Sequence, residues 1–375
     1  MTLSRRKFIA LLGGGTVFAA TAGTGTFLAT RTPQAALAPW AAAGGRADPR
    51  LNALSHAILA PNPHNLQPWL AELHGPDGVR LWRDTARALP ATDPFDRQLT
   101  IGMGCFLETF VLAAGTDGHG CDIALFPDAP APRPGLVPVA DIRLLPGAAT
   151  PDPLAAHIGA RRSAKVPFLP DMPDAAQLDA LSAHARVIVD PALVADLRAV
   201  TWDAWQIEAN TLRTHHESVD LMRFGKREIE AAPDGIDLGG PFLESLMAVG
   251  LLTRDAQKDP GSMAFRTGVG MYREMLAATP AHAVIVTDGN TAADQIAAGR
   301  AWMRLNLAAT AQGFALHPIS QCLQEFPEMA EPFERAHALL AGPGQRVQML
   351  GRLGIAPDVL PPTPRWPLET RLIGA

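Results

Sequence analysis

Apolar residues recur at helical spacing in two stretches that look alike. The first runs from Ile101 through Gly102, Met103, Gly104, Cys105, Phe106 and Leu107 to Leu112, Ala113 and Ala114, and stops at Gly115 and Gly118. The second runs from Ala298 and Gly299 through Trp302, Met303 and Leu305 to Leu307, Ala308, Ala309 and Ala311, and stops at Gly313. Both open on small residues, place apolar side chains three and four positions apart, and end at glycine, the pattern of an amphipathic helix with a glycine stop. A strand is expected after each, over residues 122–126 and 314–317. Further strands are expected over 69–73, 79–82, 140–145, 187–189, 283–287 and 347–353. This alternation predicts a mixed α+β fold built twice. The halves are 44–150 and 151–375, with the boundary near 150–157, where Pro151 and Pro153 interrupt the chain. Residues 221–263 break the pattern: Pro233, Gly235, Gly239, Gly240 and Pro241 punctuate short apolar pieces. An insertion of this length acts as a lid over a site or as packing over an exposed edge, and the sequence supports both equally.

The first residues, 1–43, read as an address. Ser4-Arg5-Arg6-Lys7-Phe8-Ile9 precedes an apolar run rich in Gly, Ala and Thr over residues 8–29, together a twin-arginine export signal. Gly13, Gly14 and Gly15 disfavour a stable spanning helix there. Such signals are read by an export machinery that carries folded proteins, so a cofactor can be enclosed before transport. Two cleavage points are candidates. Ala36-Leu37-Ala38 is followed by Pro39, a poor residue after a scissile bond, whereas Ala41-Ala42-Ala43 before Gly44 is better. The expected location is periplasmic or exported, with a tether to the outer face of the inner membrane if neither point is cut.

Composition narrows the function. A chain of 375 residues with 47% hydrophobic content can bury a sizeable core, and a formal charge of -5 without a long basic run excludes nucleic acid as the expected partner. A small-molecule role is favoured. Cys105, Cys121 and Cys322 are too few and too scattered for a disulfide framework or a zinc site. His215 and His216 point in different directions on a helix and read as a solvated surface rather than metal ligands, while Trp202 and Trp205 read as core.

Three segments carry candidate chemistry. Arg161-Arg162-Ser163-Ala164-Lys165 places two guanidinium groups, a hydroxyl and an ammonium within five residues. Arginine suits a bidentate phosphate contact and lysine a point charge. Residues 60–69, with Pro61, Asn62, Pro63, Asn65, Gln67 and Trp69, form a polar loop stiffened by proline that leads into a strand. Near the C-terminus, Thr363-Pro364-Arg365-Trp366-Pro367 supplies one more rigidly placed cation.

Taken together, these segments resemble the nitroreductase family. Its members carry an R-[RH]-S-x-[RK] cluster, a P-S-x-x-N-x-Q-P-W loop and a closing P-x-R-like contact. Here the cluster is Arg161 to Lys165, the loop is Pro61 to Trp69 and the closing residue is Arg365. The resemblance implies an α+β nitroreductase fold that binds FMN. In the family, one subunit of a dimer supplies the cluster and its partner supplies the loop. Here the loop sits in the first half and the cluster in the second, so the resemblance implies a monomer imitating the dimer, as in the duplicated, Acg-like branch. It further implies that Arg161, Arg162, Ser163 and Arg365 hold phosphate, that Lys165 faces the N1/O2 side, and that Asn65 and Gln67 orient ribityl or ring. Pro318, Ile319, Ser320 and Gln321 match the segment whose backbone N–H faces N5. Two positions depart from the pattern: Gln321 replaces a glycine, which puts the local backbone in question, and Asn62 replaces a serine. The implied activity is two-electron or hydride transfer from a small-molecule donor to a small-molecule acceptor, and the alternative is a protein that stores or shields FMN.

Overall fold

The structure, a computed structural model, describes residues 30–128 and 133–374; the twin-arginine motif and the apolar run behind it lie outside the described residues. In chain order the first half contains α1 (Gln34–Ala41), α2 (Pro49–Ala57), β1 (Trp69–His74), β2 (Gly78–Asp84), α3 (Arg97–Thr116), β3 (His119–Leu125) and β4 (Leu136–Pro146). The second half begins with α4 (Ala175–Ser182), β5 (Arg186–Ile188), α5 (Pro191–Asn210) and α6 (Leu212–Asp220). The punctuated stretch follows as β6 (Met222–Phe224), α7 (Gly225–Ala231), β7 (Ile236–Leu238), α8 (Pro241–Ala248) and α9 (Arg254–Lys258). The chain closes with α10 (Met263–Ala277), β8 (Ala281–Thr287), α11 (Ala292–Ala311), β9 (Ala315–Pro318), α12 (Ala330–Leu340) and β10 (Arg346–Gly354).

The expected strands all appear, most of them extended by a few residues. They form two four-stranded sheets, β1-β2-β4-β3 and β5-β8-β10-β9, antiparallel throughout. In each sheet the strands stand in the same order by rank, and a 20-residue helix, α3 or α11, connects the second to the third. Local chemistry sets the helix starts. Thr291 and Asp294 cap α11 reciprocally. For α3 the cap comes from upstream, where the buried Asp93 carboxylate accepts from Gln98 N at 3.1 Å and Leu99 N at 2.9 Å.

The two long helices cross at glycine. A Cβ on Gly104 would meet the Ile296 carbonyl and lie 3.0 Å from the Gly299 Cα; a Cβ on Gly299 would meet the Ile101 carbonyl and lie 2.9 Å from the Gly104 Cα. The Cys105 thiol donates to Gly299 O at 3.2 Å beside the crossing. Around it, one apolar cluster takes Met103, Phe106 and Phe110 from α3 and Trp302, Met303 and Leu307 from α11, so the core runs through both halves. Polar ties reinforce the seam. Buried Glu108 accepts from Arg300 and Arg304, both at 2.6 Å. Fully buried Arg97 donates to Gln348 O at 2.8 Å and Leu323 O at 2.7 Å and pairs with Glu325 at 3.1 Å. α3 is also the one helix among the described residues long and apolar enough to cross a membrane, and it is buried in this core.

One expectation changes. His215 is not solvated: it is buried, its Nε2 lies 2.7 Å from Gln257 O, and it meets the Phe265 ring edge-on. Burial holds its pKa below the usual imidazole range. Residues 221–263 fold as short helices around a parallel β6–β7 pair. Trp202 and Trp205 stack at 5.7 Å against the second apolar cluster, as a core reading requires.

Replacing Gly299 by alanine would raise intrinsic helix propensity by up to about 1 kcal/mol, but the added carbon has no space. The expected outcome is a net loss of about 1–3 kcal/mol in unfolding free energy, measured by urea titration, and a gain would show that the crossing is not tight.

Candidate functional site

The loop after α2 is held by backbone geometry unusual for its residues. His64, Asn65 and Gln67 all adopt positive φ, at 46°, 54° and 52°. Left-handed backbone in three near-adjacent residues other than glycine persists only where the surroundings over-determine it. Pro63 opens the turn, Asn62 Oδ1 accepts from Gln67 N at 2.7 Å, and Gly102 of α3 leaves room beneath, where a Cβ would lie 3.1 Å from Pro63 and 3.2 Å from Asn62. Pro61 is buried at the entry of the loop.

The C-terminal arm completes the surroundings. Asn65 Nδ2 donates to Pro364 O at 3.0 Å, and its Oδ1 accepts a short bond from Arg365 Nη1. Gln67 is fully buried: it donates to Pro233 O at 2.7 Å and Asn65 O at 3.3 Å, and accepts from Trp366 N at 2.9 Å. Its amide thus shapes the loop through bonds on both its nitrogen and its oxygen. The inserted stretch reaches the same place. Buried Asp234 accepts from Arg87 at 2.7 Å, Arg223 at 2.6 Å and Trp366 Nε1 at 2.8 Å, and Gly235 N donates to Asn65 O at 3.2 Å.

The cations expected in the second half converge on this first-half loop. Arg161 Nη2 donates to Leu59 O at 3.1 Å, and Arg365 Nη2 donates to Leu59 O and Ala60 O, both at 3.1 Å. Arg162, half-buried, donates from Nη1 to Gly159 O at 2.9 Å and from Nε to Leu360 O at 3.2 Å. Arg161 and Arg365 are each 2% exposed, and among the described residues no carboxylate forms an ion pair with any of the three. Burial first, then the neighbouring guanidinium groups, pushes Arg161 down to about 10 and Arg365 down to about 9. Arg161 Nε and Nη1 and Arg365 Nε are buried donors without a partner among the described residues. Buried polar groups are almost always satisfied, so orphaned cationic donors in a cluster fit an anion such as a phosphate monoester.

The remaining expected residues lie alongside. Ser163 bridges Leu316 and Ala164 N donates to Leu316 O at 2.9 Å, which docks the cluster on β9. At the end of β9, Pro318 leads to buried Ile319, whose N–H donates to Leu350 O at 2.9 Å and is thereby engaged in the protein. Ser320 Oγ donates to the same carbonyl at 3.1 Å. Gln321 opens a short 3-10 turn and is not among the residues with positive φ, so this backbone needs no glycine there. Lys165 is exposed; burial first and then its charge lower the pKa of His64, burial with Arg352 and Lys165 lowers that of His317, and burial raises that of Asp237 against the opposing charge of Lys165.

One residue had no signal in the sequence. Glu208, near the end of α5, accepts from Gln324 Nε2 at 2.8 Å and lies beside Gln321 and Ser218. Burial drives its pKa up to about 7, and the charge of Glu217 adds to the rise. A lone glutamate on an amphipathic helix reads as surface, and its partners sit more than a hundred residues away. The three thiols offer no nucleophile: burial pushes Cys105 and Cys322 up to about 12 and Cys121 up to about 11.

Because Glu208 holds its proton more tightly folded than unfolded, its contribution to stability is fully present below about pH 4.5 and is lost as pH rises through about 7. Glu208→Gln removes that dependence. Urea unfolding at pH 5 and pH 8 should show the native chain losing stability relative to the variant at the higher pH, and parallel behaviour would refute the raised pKa.

No family model matches the chain. It is 28% identical over 334 residues to a Mycobacterium tuberculosis protein named "Putative NAD(P)H nitroreductase Rv3131", covering 84% of this chain and 91% of that one. It is also 37% identical over 79 residues to "Putative NAD(P)H nitroreductase acg" of the same organism, covering 20% of this chain and 23% of that one. Among solved structures, it resembles the FMN-dependent nitroreductase NfnB from Mycobacterium smegmatis in complex with NADPH at 19% identity and a TM-score of 0.35, covering 58% of this chain and 96% of that one. A nitroreductase-like family protein from Bacillus cereus aligns at 13% identity and a TM-score of 0.32, covering 60% and 96%. On the likeness in sequence that extends over most of both chains, this α+β protein is a homologue of the proteins named as NAD(P)H nitroreductases.

Proposed function

We propose that the protein is an FMN-dependent oxidoreductase of the nitroreductase type, exported in its folded state, with one cofactor site assembled between its two halves. The observation that carries this reading is the meeting of Arg161 and Arg365 with the loop at Leu59, Ala60 and Asn65, with cationic donors left over and no carboxylate paired to them among the described residues. Arg161, Arg162, Ser163 and Arg365 would hold the phosphate, and Lys165 would stabilise negative charge at the N1/O2 side of the ring. The backbone of residues 318–321 would lie along the N5 edge, and Asn65 would position the ribityl side by fixing Arg365. When bound, FMN supplies hydride or two-electron chemistry between a donor such as NAD(P)H and a small-molecule acceptor.

The equal order of strands in the two sheets, each with a 20-residue helix between its second and third strands, supports an internal duplication that lets a monomer imitate a dimer. Export rests on Arg5 and Arg6 followed by the apolar run, and the corresponding location is the periplasm.

A second reading, storage or shielding of FMN without efficient turnover, draws on the insertion. Asp234 ties it to Arg87 and Trp366, and Gln67 ties it to the loop, so it is anchored beside the proposed cofactor site as a lid would be.

Losing one charge-assisted phosphate contact costs about 1.5–3 kcal/mol, so Arg161→Ala should weaken FMN binding by about ten- to a hundredfold in a fluorescence titration. Unchanged affinity would overturn the phosphate assignment. Mixing the FMN-loaded protein with NADH or NADPH under anaerobic stopped flow separates the two readings: rapid bleaching of the flavin absorbance is expected of the oxidoreductase, and a stable spectrum of the storage protein.

A further inference from the structure

The arginine cluster has a fourth member from an unexpected part of the chain. Trp40, in α1, presents its ring to all three guanidinium groups, with the Arg162 carbon 4.7 Å from the ring centroid, Arg365 at 5.5 Å and Arg161 at 5.9 Å. The ring is held on its own account. Its Nε1 donates to Thr363 O at 2.7 Å, Ala36 O accepts from Arg365 N at 2.8 Å, and Ala36 is buried.

We propose that Trp40 is a wall of the anion site, so that the segment directly behind the export motif belongs to the cofactor-binding structure and is retained in the working protein. The inference rests on the phosphate reading of Arg161, Arg162 and Arg365. Like charges, two buried and one half-buried, repel one another, and the negative face of an indole offsets part of that repulsion. A ring neighbour, unlike a carboxylate, leaves the charge of a guanidinium uncancelled, so that N–H donors without a partner stay available to a ligand. The orphaned Nε and Nη1 of Arg161 and Nε of Arg365 are such donors. A plug occupying the ligand's place would have to leave, breaking the bonds to Thr363 and Arg365 and exposing Ala36; a wall need not move. Cleavage after Ala43, the better of the two processing points by sequence, would excise Trp40 and α1 together.

The test uses the full chain stripped of flavin and titrated with FMN and with riboflavin, which lacks the phosphate, following flavin fluorescence. Trp40→Leu keeps apolar volume but loses the ring, and Trp40→Phe keeps the ring. The Leu variant should bind FMN about tenfold more weakly and riboflavin nearly as before, with Phe close to the native chain. Tighter or unchanged FMN binding by Trp40→Leu would overturn the wall, and so would an equal loss for riboflavin. Arg161→Ala in the same titration separates the two claims: if it leaves FMN affinity untouched, the phosphate reading fails first. Mass spectrometry of the exported protein should place the mature N-terminus before Gln34, and one at Gly44 would refute retention.

Discussion

Everything in this molecule is organised about the place where two glycines let two backbones touch. Gly104 and Gly299 bring α3 and α11 so close that no side-chain carbon fits at either, and the single apolar core grows outward from that line. Close approach by small residues fixes the relative position of the helices far more sharply than a seam of large side chains, which can repack. The sheets inherit that position. So does the site, because the loop rests over Gly102 on the same helix and the cation cluster is docked on β9, the strand that follows the other helix. Charge is used as a second, directional seam: Glu108 faces Arg300 and Arg304, and Arg97 reaches Gln348, Leu323 and Glu325, each bond joining the first half to the second or to the segment between them.

Regular elements were readable because their signals are local. The spacing of apolar residues located α3 and α11, and alternation located the strands, with errors only at the ends. The segments 60–69, 161–165 and 363–367 stood out locally through prolines and clustered cations, but their meeting was legible only through the resemblance to the nitroreductase family. Other residues were not. Trp40 sits in an alanine-rich stretch that looks like spacer, and its meaning comes from guanidinium groups more than a hundred positions away. Asp234 and Glu208 are single acids without a motif, and partners more than a hundred positions away, Arg87, Trp366 and Gln324, help define them. Gln67 shows the converse: it carries the most recognisable motif of the chain, yet burial and three protein bonds give it a structural task.

The site is also electrostatically lopsided. Many carboxylates among the described residues are paired with arginines, and Glu108, Asp234 and Glu325 each take two. Arg161, Arg162 and Arg365 stand apart from that accounting among the described residues, bonded to carbonyl oxygens and an amide rather than to acids. Carbonyls satisfy N–H groups without cancelling charge, so the cluster keeps a net positive field while losing little of its hydrogen bonding.

The bond between Arg365 and Asn65 joins residues 300 positions apart. Loops of that length close slowly, and contacts so distant in sequence are formed late. During synthesis, the left-handed turn at His64, Asn65 and Gln67 therefore emerges from the ribosome long before the arm that holds it, and waits unfinished while nearly the whole chain is translated. The turn and the arm that holds it can therefore meet only after residue 365 has been made, later than contacts within residues 34–354 can first form.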